Sequence, residues 1–215
     1  MKSIERTKFN VLVLGDTNIG KSSLINSLFG LYYESFISQS YNVLDETMID
    51  GKKYKFKIYK THGQERFRSI YFSLIKIADG IIIVFSIDNR NSFELIDLYL
   101  KEIKNRTGKN FLPIYIAASR IDRYERVVTN EEAINFCKNR NLKYFETSAK
   151  TGFGVKELFH SLYHEIYYSY KKLEKMIDFS GEQKNSEKNL QQNKNNEYYD
   201  INKNYMSLLL KFYKY

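Results

Sequence analysis

The sequence predicts an α/β fold, a doubly wound and mostly parallel sheet, and three observations carry that reading. From residue 8 to about residue 174, short apolar runs alternate with longer stretches of helical period, as βα units on a parallel sheet require. The first apolar run leads straight into a glycine-framed loop that opens a helical stretch. The length, 215 residues, suffices for one well-buried domain with chain left over, and falls short of two comfortable ones.

Taken in order, KFNVLVLG (8–15) is a buried strand and KSSLINSLF (21–29) the helix after it. KYKFKIYK (53–60) alternates with a period of two, as a half-buried strand does, and GIIIVFSI (80–87) is apolar enough for a central strand. SFELIDLYLKEIKN (92–105) has helical period, FLPIYIAAS (111–119) is a strand, NEEAINFCKNRN (130–141) a helix and LKYFETSA (142–149) a strand. A long final helix covers 155–176. The domain is therefore expected to span residues 1–176. Beyond it, 177–197 is nearly devoid of apolar residues, cannot offset the entropy of ordering, and is expected to be a disordered linker.

Composition excludes several classes of function. The one cysteine, Cys137, rules out an internal disulfide framework and suits a reducing cytosol; in its helical stretch it is expected to pack. No window offers the roughly 18 unbroken apolar residues of a membrane span, and the start of the chain has no signal-peptide core. The net charge is +9, but the lysines are scattered among Asn, Tyr and Ile rather than gathered in a stripe, so no specific nucleic-acid partner is expected.

The strongest signal is Gly15-Asp-Thr-Asn18-Ile19-Gly20-Lys21-Ser22, a complete G-x-x-x-x-G-K-[ST] between a strand and a helix, followed by Ser23. The glycines let the backbone turn tightly, so successive N–H groups and the helix N-terminus face a polyphosphate. Lys21 then neutralises the outer phosphates, and the Ser22 hydroxyl is the candidate ligand for Mg²⁺.

With GDTNIGKSSL, GQERFRSI and ETSAK in this order and spacing, the chain resembles the Ras superfamily of small GTPases, its Rab branch most of all, over roughly residues 6–172. The resemblance implies a G domain that binds GTP or GDP with Mg²⁺, slow GTP hydrolysis, and two switch loops that contact effector and regulator proteins. It further implies that the family's guanine-reading N-K-x-D falls on Ser119-Arg120-Ile121-Asp122. Asp122 would accept from the base edge, and Arg120 would stack over the base. Ser119, shorter than the usual Asn, is expected to lose some cross-loop bonding. Ser148, Ala149 and Lys150 of the intact ETSAK would complete the base pocket, with the Ala149 N–H meeting the guanine oxygen.

Three departures from the family pattern stand out. Lys60 occupies the place of the acid that holds Mg²⁺ through water, and a lysine cannot accept that bond and repels the ion. His62 stands where a small alanine is usual, beside Gly63, which would meet the γ-phosphate, and Gln64, the candidate catalytic residue that orients attacking water. No threonine lies in ESFISQSYNV (34–43); its place falls on Gln39 counted from the left and nearer Ile37 counted from the right, leaving Ser38 or Ser40 to supply a hydroxyl. Two readings remain: a divergent GTPase in which the Lys60 ammonium partly replaces Mg²⁺, or a pseudo-GTPase binding module that does not cycle.

Near the end, Tyr198, Ile201, Tyr205, Leu208, Phe212 and Tyr215 share one helical face, with Lys203, Lys211 and Lys214 off it. Residues 198–215 are thus a candidate amphipathic helix for a membrane surface, a partner or the domain itself, or else a frayed end. The expected location is cytoplasmic, peripheral on an internal membrane if this segment binds one. With no cysteine after Cys137 and a Met-Lys start, neither prenylation nor N-myristoylation is expected.

Overall fold

The computed structural model describes residues 6–31, 42–61, 68–107 and 112–188. A six-stranded sheet in the order β2-β3-β1-β4-β5-β6 organises the described residues up to Tyr167. The elements run β1 (Lys8–Leu14), α1 (Lys21–Leu28), β2 (Asn42–Ile49), β3 (Lys52–Lys60), α2 (Arg68–Ile77), β4 (Gly80–Ser86), α3 (Arg90–Thr107), β5 (Ile114–Ser119), α4 (Asn130–Lys138), β6 (Lys143–Glu146) and α5 (Val155–Lys188). Only β2 runs antiparallel, joined to β3 from Asn42↔Tyr59 to Ile49↔Lys52; the other neighbours are parallel. This is the doubly wound, mostly parallel sheet that the alternation of apolar runs and helical stretches requires.

Burial explains the strand order. Every residue of β4 is buried, as a central strand covered on both faces must be. In β3 the alternation puts Tyr54, Phe56 and Ile58 inside, where the Phe56 ring stacks on Tyr163 at 3.9 Å and 12°. On the other face a single apolar cluster joins Leu12, Leu14, Ile83, Phe85, Phe93 and Cys137, so the lone cysteine packs as expected and burial pushes its thiol up to about 11. The start of α4 is fixed by Thr129, whose hydroxyl accepts from the Glu132 N–H at 3.1 Å, with Glu131 and Glu132 in the first turn opposite the positive end of the helix dipole.

Two elements, β2 and α2, go beyond those read from the sequence, and one expectation is corrected. The long helix does not stop at 176 but continues through residues 177–188 of the expected disordered linker. A nucleated helix adds residues cheaply, and Glu, Lys and Gln in this stretch are good helix formers, so low apolar content does not stop it. Within residues 168–215, the Tyr170 hydroxyl donates to Glu174 Oε1 at 3.3 Å and Lys171 pairs with Glu174 Oε2 at 2.9 Å. The candidate helix 198–215 lies outside the described residues, as do Ile37, Ser38, Gln39, Ser40, His62, Gly63 and Gln64.

Candidate nucleotide site

Geometry at the end of β1 follows from two glycines. A Cβ on Gly15, at φ +142°, would run into the Val84 carbonyl and the Ile19 side chain, so this residue lets the loop lie directly on β4. Gly20, the residue just before α1, lies in the left-handed region at φ +96°. No side chain caps α1 and its first turn holds no acid, which leaves the N–H groups and positive dipole end of this helix to an anion.

Lys21 is 6% exposed. Its ammonium donates to the Gly15 carbonyl at 2.9 Å and to the Asp16 carbonyl, folding back over the loop. Burial lowers its pKa to about 8; the Asp16 carboxylate opposes the shift and the like charge of Lys60 adds to it. A buried cation destabilised in this way gains from a phosphate. Loop, helix end and lysine together fit a polyphosphate.

Base-side residues come from the ends of β5 and β6. Ser119 is buried, and its hydroxyl donates to the Ile19 carbonyl at 2.6 Å. One cross-loop bond is therefore present: the chain brings β5 close enough to the phosphate loop for a short hydroxyl to reach. Arg120, at φ +63°, donates to the Asn18 carbonyl and lies 3.4 Å from Asp88 Oδ2, so its guanidinium ties the loop to the sheet. Asp122 Oδ1 accepts from the buried Ser148 hydroxyl at 2.6 Å, which aims the carboxylate. Ala149 is half-buried and Lys150 exposed in the turn that follows.

Asp88 escaped the sequence reading. It accepts from the Ser86 hydroxyl and pairs with both Arg123 and Arg120. Burial opposes its ionisation, but these three donors more than offset that, and the carboxyl is held below the usual carboxylate range. The available signal was an acid directly after the most apolar run of the chain, followed by basic residues in 120–123.

Metal chemistry is where the site departs. The β1–β3 register sets Lys60 opposite Val13, two residues before the loop, and its Nζ donates to Ser22 Oγ at 3.3 Å. Ser22 is exposed at the second position of α1, and Ser23 is half-buried behind it. An ammonium on the hydroxyl expected to ligate Mg²⁺ places a positive charge where a divalent ion would sit. The charge that Lys60 sets beside Ser22 suits a nucleotide's phosphates and does not suit Mg²⁺.

A phosphate loop at one strand end, joined by side-chain bonds to an acid-bearing loop two strands away, defines a P-loop nucleotide-binding domain. The Ras family profile matches residues 10–168. Ras-related protein RabH of Dictyostelium discoideum is 33% identical over 202 residues, covering 93% of this chain and 95% of its own. Ras-related protein Rab-18 of Lymnaea stagnalis is 31% identical over 188 residues, 86% and 88% of the two chains. Ypt/Rab-type GTPase Rab7 of Neurospora crassa is 31% identical over 170 residues, 74% and 82%. The chain belongs to the Ras family, as a Rab-like small GTPase. Members of that family are guanine-nucleotide switches that use Mg²⁺ and contact effectors and regulators. Among the described residues no helix is long and apolar enough to cross a membrane.

Proposed function

We propose that this protein is a guanine-nucleotide switch in membrane or vesicle traffic that holds GTP and GDP through Lys21 and Asp122, needs Mg²⁺ less than its relatives, and hydrolyses GTP slowly. The observation that supports it best is the Ser119–Ile19 bond, which couples the base-reading loop to the phosphate loop although the usual Asn is absent. Asp122, aimed by Ser148, supplies the two acceptor oxygens that a guanine edge needs and an adenine edge does not. With Lys60 in place of a metal-holding acid, hydrolysis is expected at or below the order of 10⁻⁴ per second typical of the unassisted reaction. The contact between Lys60 and Ser22 also favours a second reading, a pseudo-GTPase that binds nucleotide and does not cycle.

Competition against a fluorescent guanine nucleotide tests the first part: GDP and GTP should displace it and ADP and ATP should not. Equal displacement by adenine nucleotides would remove Asp122 from its assigned role. Single-turnover assays of GTP then separate the slow switch from the module that does not cycle. Residues 198–215 are proposed as the contact with a membrane surface, on sequence pattern alone. Equal pelleting with anionic vesicles of the full chain and a chain ending at 197 would exclude that contact.

A further inference from the structure

We propose that this site takes its guanine nucleotide in the metal-free form, with the Lys60 ammonium acting as a phosphate ligand beside Ser22 in the position a divalent cation would fill. The inference rests on the nucleotide-binding reading above and specifies which form of the ligand is bound.

Three features of the fold carry it. The first is placement. Lys60 is the last residue of β3 and is locked in the parallel ladder opposite Val13, so its Cα cannot drift from the mouth of the phosphate loop. The second is the direction of the side chain. Its Nζ reaches across to Ser22 Oγ, 38 positions away in sequence, at 3.3 Å, and this is the hydroxyl from which a bound cation would be coordinated. An ammonium has three donor hydrogens; Ser22 takes one, leaving two for phosphate oxygens. The third is charge. A divalent ion brought to Ser22 would meet the Lys60 ammonium and would have to displace it before any oxygen could replace it. The Lys60 charge and the open end of α1 offer positive potential to the roughly three negative charges of a nucleoside diphosphate, so the chain itself supplies part of the neutralisation a metal would bring.

The geometry also sets what Mg²⁺ should do. In a site that binds the metal complex, the cation bridges protein and phosphates, and chelation releases the nucleotide. Here the bridge is part of the polypeptide and cannot be chelated, so Mg²⁺ held by free nucleotide competes with Lys60 for the same oxygens.

The test is release of a fluorescent GDP analogue from the full-length chain, chased with excess unlabelled GDP, in excess Mg²⁺ and in excess EDTA. Wild type should release at the same rate in both, or more slowly in EDTA. Lys60→Gln, which keeps the length and loses the charge, should release roughly ten- to a hundredfold faster in EDTA, the loss expected for one charge-assisted hydrogen bond. Lys60→Asp should bind tightly only with Mg²⁺ and let go on chelation. Melting curves of both variants without nucleotide, expected to match wild type because Lys60 is half-exposed at a strand end, show that they fold. Faster release of wild type in EDTA, or an unchanged rate in Lys60→Gln, would overturn the proposal while leaving nucleotide binding intact. Failure to load guanine nucleotide in either buffer would instead overturn the binding reading itself, and this inference with it.

Discussion

Replacing Lys21 with methionine should stabilise the nucleotide-free protein while abolishing its response to nucleotide. Methionine keeps much of the volume and fills the same buried space without a charge. The lysine's pKa falls from the ordinary 10.5 to about 8, chiefly through burial, so about 2.5 pH units separate folded from unfolded chain. At about 1.4 kcal/mol per unit, carrying this charge costs the fold roughly 3 kcal/mol at neutral pH. Against this stand the two bonds the ammonium gives to the Gly15 and Asp16 carbonyls, worth about 1 kcal/mol each. The net gain is roughly 1 kcal/mol, a rise in melting temperature of about 2–4 °C for a chain of this size. Because the folded pKa is depressed, the penalty is complete below about pH 8 and fades as pH rises toward 10.5, where the unfolded chain also loses the proton. Melting of stripped wild type and Lys21→Met in EDTA across that range is the assay. The variant should lead at pH 7, the gap should close above pH 8, and added GDP should raise only the wild type. A variant less stable than wild type at pH 7, or a gap that widens with pH, would show that the buried Lys21 charge does not cost the fold.

Two further substitutions address the base side. Ser119→Ala deletes the donor to the Ile19 carbonyl and should cost about 1 kcal/mol of stability together with a several-fold loss of GDP affinity; unchanged melting and affinity would show that the bond does not couple the two loops. Asp122→Asn should shift preference from guanine toward xanthine, because the amide can donate where the carboxylate accepted; titration with both nucleotides reads the ratio, and retained guanine preference would misplace the base pocket.

Elements that owe their pattern to burial on regular faces were legible in the sequence. The run GIIIVFS of β4 and the alternation of KKYKFKIYK in β3 announce their burial residue by residue. β2 does not, because its pattern is inverted: Leu44 and Met48 are exposed while Asp45 is half-buried and accepts from the Tyr163 hydroxyl at 2.9 Å, a partner 118 positions away. The same distance effect limits the site. The type of residue at 15–22, 60, 119–122 and 148–150 could be read directly. That Ser119 reaches Ile19 across 100 positions, that Arg120 spends its guanidinium on Asn18 and Asp88, and that Lys60 rests on Ser22 are products of strand order, which no local spacing encodes. The extension of α5 past 176 shows the complementary limit, since helix propagation depends on the turn before and only weakly on local apolar content.

A Rab-like phosphate loop with an ammonium at its metal position is expected to bind guanine nucleotide without the metal. Native mass spectrometry of the full chain after exhaustive EDTA dialysis weighs protein, nucleotide and metal in one spectrum. One guanine nucleotide per chain and no Mg²⁺ should be found. A bare polypeptide after dialysis, or a nucleotide found only together with Mg²⁺ before it, would show that the metal and not Lys60 holds the phosphates.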